Sequence, residues 1–144
     1  MDFGFTKDEQ AFREKLSDFL DKELTEEMIP QVAEQKLAEY CDIYCDTGYY
    51  TAAEAELILQ AGINNHLKPK LHTDAYRNVG GSTLAARIPA VSADHLNYTT
   101  PGEMELLAEA GVIGVVLPAL DFAAAHPDPF NARPMIEAGC MRCR

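Results

Sequence analysis

Two histidines stand where short apolar runs give way to turns. His72 closes "KPKLH" (68 to 72), ahead of a glycine-rich turn, and His95 lies in "AVSADHL" (90 to 96). Imidazole is the commonest metal ligand and the side chain whose ordinary pKa lies nearest neutrality. Asp74 and Asp94 lie beside the two histidines, and Asp46 and Asp121 follow two further apolar runs at similar positions. Two imidazoles with carboxylates could hold zinc or iron, and such an ion brings the pKa of its bound water toward neutrality for hydrolysis. The competing reading is two unrelated loop histidines, each solvated or hydrogen-bonded. His66 in "NNHLK" and His126 in "AHPDPF" read as surface residues.

The other chemistry-bearing residues are Cys41, Cys45, Cys140 and Cys143. Four thiolates could bind zinc. Cys41 and Cys45 flank a strand-like apolar run, however, and the second pair sits at the end of the sequence. Buried or idle thiols, reduced in a cytoplasmic setting, are the expectation.

Composition narrows the function classes. The net charge of -11 argues against a nucleic-acid partner, since a phosphate backbone calls for clustered Lys and Arg. No apolar run approaches the roughly 20 residues that span a bilayer, so no membrane association is expected. The acidic start "MDFGFTKDEQ" does not read as a signal peptide, which leaves the cytoplasm as the expected location. With 144 residues, 47% hydrophobic and 24% charged, the chain can bury the core of one domain.

The elements that must position these residues follow a rhythm. Residues 6 to 24 read as an amphipathic helix, with Thr6 and Glu9 forming a capping box and Phe12, Leu16, Phe19, Leu20 and Leu24 recurring at helical spacing. Thr25, Glu26 and Glu27 start a second helix expected to reach about Tyr40, with Pro30 near its first turn. Four strand-then-helix units follow: "CDIYC" with "TAAEAELILQAG", "KPKLH" with "GSTLAARI", "AVSADHL" with "PGEMELLAEAG", and "VIGVVLP" with, after a loop, "NARPMIEAG". Gly62, Gly111 and Gly139 are placed at helix ends, where a left-handed residue is wanted. Such alternation signals an α/β fold of parallel (β/α) units. An open doubly wound sheet and part of a (β/α)₈ barrel both fit. In either, functional groups gather at the C-terminal ends of the strands, where His72 and His95 fall.

From about Glu27 to Gly139, roughly three quarters of the chain, the sequence resembles the imidazolonepropionases of the amidohydrolase superfamily. The matching stretches are "EMIPQVAEQKLAEYCDIYCDTGYYT", "LKPKLHTDAYRNVGGSTLAA", "VSADHLNYT", "LAEAGVIGVVLPALDFA" and "ARPMIEAG". The resemblance implies a partial, half TIM-like amidohydrolase barrel. It implies a metal-dependent hydrolase of the cyclic amide of 4-imidazolone-5-propanoate, a step in histidine degradation that gives N-formimidoyl-glutamate. By the family pattern, His72 matches a ligand of the single catalytic metal, zinc or iron. His95, in "ADHL", matches the residue that orients or deprotonates the metal-bound water.

The departures from that pattern are equally specific. The chain has no H-x-H pair, the family's first two ligands, and "IEAG" is followed by "CMRCR" rather than a strand bearing the last aspartate. Position 75, where the family commonly carries a Glu or Gln that contacts substrate, is Ala75; Tyr76 fits the bulk expected next to it. Residues 1 to 25 resemble instead the N-terminal helix of acyl-CoA dehydrogenases, without any flavin-binding region. The expected organisation is a foreign helix (1 to 25), a partial barrel (26 to 139) and an atypical tail (140 to 144): a truncated chain whose activity is in question. The alternative is a non-catalytic half barrel that self-associates, two copies pairing as a homodimer through open sheet edges.

Overall fold

The computed structural model describes residue 11 and residues 28–88, 90–130 and 132–140. The expected helix over 6 to 24, the start of the helix expected from Thr25, and Cys143 lie outside the described residues. Within them the chain alternates as α1 (Met28–Glu34), β1 (Tyr40–Cys45), α2 (Ala52–Asn64), β2 (Lys68–Thr73), α3 (Gly81–Arg87), β3 (Ser92–His95), α4 (Pro101–Glu109), β4 (Ile113–Val115), α5 (Pro118–Ala123) and α6 (Ala132–Ala138).

All strand pairs are parallel and the order is β1-β2-β3-β4. A doubly wound sheet reverses its strand order at a switch point. Here each strand instead lies beside its successor, the arrangement of part of a (β/α) barrel, as expected. Ile43 and Cys45 of β1, Leu71 of β2 and Ala93 of β3 share one buried cluster with Ala55 and Leu59 of α2, Leu84 and Ala85 of α3, and Met104 and Leu107 of α4. That cluster fixes the face of the sheet the helices cover. No described helix is long and apolar enough to cross a membrane.

Local chemistry explains the helix starts. Thr51 caps α2 and Thr100 caps α4, each with a reciprocal bond from the glutamate three residues on, Glu54 and Glu103. Prolines open α4 and α5, where an absent N–H removes no helical bond. Three expectations change. The first described helix ends at Glu34, well short of Tyr40, which instead opens β1. The loop expected after β4 contains the short helix α5. Gly111 and Gly139 are left-handed as expected, at φ 75° and 82°, but Gly62 lies inside α2, where a Cβ would stand 2.7 Å from Cys41 Cβ. It is a close-packing glycine, and the left-handed residue beyond that helix is His66, at φ 67°.

Candidate functional site

Side chains alternate between the faces of a strand. Residues in register therefore share a face: Tyr44, His72 and Asp94 on one, Cys45, Thr73 and His95 on the other. Thr73 is fully buried against the start of α3, so close that a Cβ on Gly81 would overlap its hydroxyl. Simple alternation would thus put His95 among the helices, on the far side of the sheet from His72.

The backbone reverses this at the strand ends. His95 and Leu96 both adopt left-handed φ, 75° and 63°, and Asp74 does so at 53°. For residues other than glycine this costs about 1–2 kcal/mol each. Leu96 anchors the turn: its N–H donates to Thr73 O at 3.1 Å and its side chain is fully buried. The result swaps two side chains between faces. Asp74 turns into the helix layer, and the His95 ring emerges on the open face, its centroid 5.5 Å from that of His72. The two imidazoles are together.

His72 is flanked by two carboxylates and bonded to one of them. Its Nε2–H donates to Asp42 Oδ2 at 3.0 Å, and Nδ1 lies 3.8 Å from Asp94 Oδ2. The Tyr44 ring lies parallel to it at 6.0 Å and stands edge-on to His95 at 5.6 Å. Burial, then the neighbouring His72, pushes the His95 pKa below the ordinary histidine value, while Asp94, Asp121 and Asp46 pull the other way. His95 is accordingly a neutral base near pH 7. Burial, reinforced by Asp46, raises the Tyr44 hydroxyl pKa, so that group stays protonated.

The carboxylates singled out from the sequence have divergent fates. Asp94 faces His72, with Oδ1 buried and without a hydrogen-bond partner among the described residues. Asp46 is buried and accepts from the N–H groups of Ala75 (2.6 Å), Tyr76 (3.1 Å) and Thr47 (2.6 Å), pinning the β2–α3 loop. Asp74 accepts from the Ser82 and Thr99 hydroxyls and from Val79 N–H. Asp121 accepts from Asn97 Nδ2 and Phe130 N–H, both at 2.9 Å. The last three hold loops in place; of these four only Asp94 lies against a histidine of the pair, and Asp42, which accepts from His72, was not among those singled out.

A cavity of about 290 Å³ opens at this rim, lined by Tyr44, His72, Tyr76, His95 and Asp121, with His126 completing the wall. His126 is thus no surface bystander. It is half-buried, and its Nε2 is 2.8 Å from Ala75 O. Its position after the fourth strand was the available signal, but the turn sequence around it hid the contact. His66 is exposed, as expected. Cys41, Cys45 and Cys140 are free thiols, the last two buried, and burial raises the pKa of all three. Among the described residues no group of three or more His, Cys, Asp or Glu could hold a metal ion.

No protein-family model matches the chain. Comparison with individual proteins is decisive. The chain is 51% identical over 116 residues to the imidazolonepropionase of Shouchella clausii, covering 81% of this chain and 26% of that protein. It is 41% identical over 130 residues to the imidazolonepropionase of Brevibacillus brevis, covering 90% and 30%, and 36% identical over 128 residues to that of Flavobacterium johnsoniae, covering 89% and 31%. The chain therefore spans between about a quarter and a third of the length of these relatives. This chain, with its parallel (β/α) units and paired rim histidines, is over the matched stretch a relative of the imidazolonepropionases.

Proposed function

We propose that the chain carries one portion of an imidazolonepropionase-type site and acts, through His72 and His95, on the cyclic amide of 4-imidazolone-5-propanoate. The observation that supports this best is the convergence of the two rings at 5.5 Å over a cavity, achieved at the cost of left-handed backbone at His95. In this reading His95 is the base. It takes a proton from water as the oxygen attacks the ring carbonyl, and returns it to the ring nitrogen as the C–N bond breaks. One water is consumed, and the product is N-formimidoyl-glutamate. The Tyr44 hydroxyl, which stays protonated, and the Asp42-held His72 define the polar side of the cavity.

The resemblance assigns His72 to zinc or iron. The described residues do not assemble a complete cage for such an ion, and His72 Nε2 already donates to Asp42. Among the described residues the contribution to a metal site is therefore one ligand, His72, and no step here is routed through the ion. The same reading divides the chain at about residues 25 and 139 and places it in the cytoplasm, where its thiols stay reduced.

The test is loss of imidazolone absorbance on incubation with 4-imidazolone-5-propanoate, with and without added zinc or iron. Turnover is expected to fall by roughly 100-fold or more in H95A, the scale of a lost general base. H72A should abolish any stimulation by metal. No turnover under any of these conditions, or turnover that survives H95A, would refute the reading.

A further inference from the structure

The proposed chemistry leaves His126 unused, yet its geometry is the most constrained of the three cavity imidazoles. The backbone N–H of Asp128 donates to His126 Nδ1 at 3.1 Å. A backbone N–H can only donate, so Nδ1 carries no proton, and the neutral ring bears its hydrogen on Nε2. That N–H donates to Ala75 O at 2.8 Å. Both ring nitrogens are committed to backbone groups, so His126 has neither a free lone pair nor a free proton to offer a substrate.

The contact has consequences at the other end. The Ala75 N–H donates to Asp46 Oδ2 at 2.6 Å, and the Tyr76 N–H donates to the same oxygen at 3.1 Å. Residues 75 and 76 are thus gripped from the end of β1 by Asp46 and from beyond α5 by His126. The His126 ring also lies 5.5 Å from that of Tyr76, tilted by 30°. The segment carrying His126 is itself tied down, because Asn97 Nδ2 bridges Asp121 Oδ2 (2.9 Å) and Asp128 O (3.1 Å).

We propose that His126 is a positioning residue: by clamping the Ala75 carbonyl it sets the cavity wall, residues 75 and 76, that faces His72 and His95. The proposal rests on the reading of this cavity as the substrate site, and its test separates the two. In H126Q the side-chain amide reaches the Nε2 position and can still donate to Ala75 O; in H126L it cannot. Amide exchange at Ala75 and Tyr76, followed by NMR on the full chain, is expected to quicken about tenfold in H126L and to stay within about threefold of wild type in H126Q, the scale of one hydrogen bond. Binding of imidazole-4-propanoate, a planar ring with a carboxylate tail, should weaken by a similar factor in H126L alone. Long-range ¹⁵N spectra of the wild type should show His126 protonated on Nε2.

Unchanged exchange in H126L, or a proton on Nδ1, overturns the clamp. Equal probe binding in H126L and wild type, with the probe bound, overturns the positioning role. A wild-type chain that neither binds the probe nor turns over substrate sinks the proposed function, and the exchange and tautomer results still decide the clamp.

Discussion

Replacing Asp46 is the sharpest test of how the site is held. Its carboxylate accepts three backbone N–H groups, from Ala75, Tyr76 and Thr47. Thr47 and Tyr76 are exposed, so water can serve their N–H groups when the carboxylate is removed. Ala75 is only 3% exposed, and in D46A its N–H is left without a partner. A lost bond to a charged group that strands a buried donor costs about 1.5–3 kcal/mol, and the water-replaced bond from Tyr76 adds about 0.5–1. D46A should therefore lose about 2–4 kcal/mol. D46N keeps the volume and one acceptor oxygen toward Ala75 and Tyr76, giving up mainly the exposed Thr47 bond, and should lose about 1 kcal/mol. Urea unfolding followed by circular dichroism reads this directly. With a slope of about 2 kcal/mol per molar urea, the D46A midpoint should fall by about 1–2 M with the slope unchanged. A D46A midpoint within experimental error of wild type, or equal to that of D46N, would show that the loop is not held through this carboxylate.

Two other measurements probe the scaffold. Burial raises the Glu103 pKa, but hydrogen bonds from the Thr100 hydroxyl and N–H, Asn78 and Thr83 outweigh it and leave the group below its ordinary 4.5. A lowered folded pKa gives stability that is present above the unfolded value and lost as pH falls through the folded one. E103Q should therefore be less stable than wild type at pH 7, with the gap closing below about pH 4.5, and a gap that does not change with pH would contradict the assignment. Of the three described thiols, Cys41 is half-buried whereas Cys45 and Cys140 are 0% and 1% exposed, so iodoacetamide should modify native Cys41 before Cys45 and Cys140, and reach those two at an appreciable rate only in denaturant. Equal native rates would count against the packing of β1.

What the sequence by itself determined is local. Apolar runs of strand length, Thr-x-x-Glu starts, and prolines and glycines at element ends act within a few residues, so the succession of strand and helix from Tyr40 to Ala138 was readable apart from the short helix α5, as were His72 and His95 at strand ends. The likeness to imidazolonepropionases was readable too, because it is carried by residue identities in order. Three features needed the tertiary structure. The choice between a doubly wound sheet and a barrel portion depends on which strands are neighbours, and no local pattern encodes strand order. The face on which His95 emerges depends on a left-handed turn at two non-glycine residues, held by the burial of Leu96 and its bond to Thr73. Alternation alone would have separated the two histidines. The place of His126 depends on a hydrogen bond to a residue 51 positions away, and that of Asp46 on bonds spanning 29 and 30 positions. Contacts of that range are set by the packing of whole elements against one another, to which the periodicity of a single segment is blind.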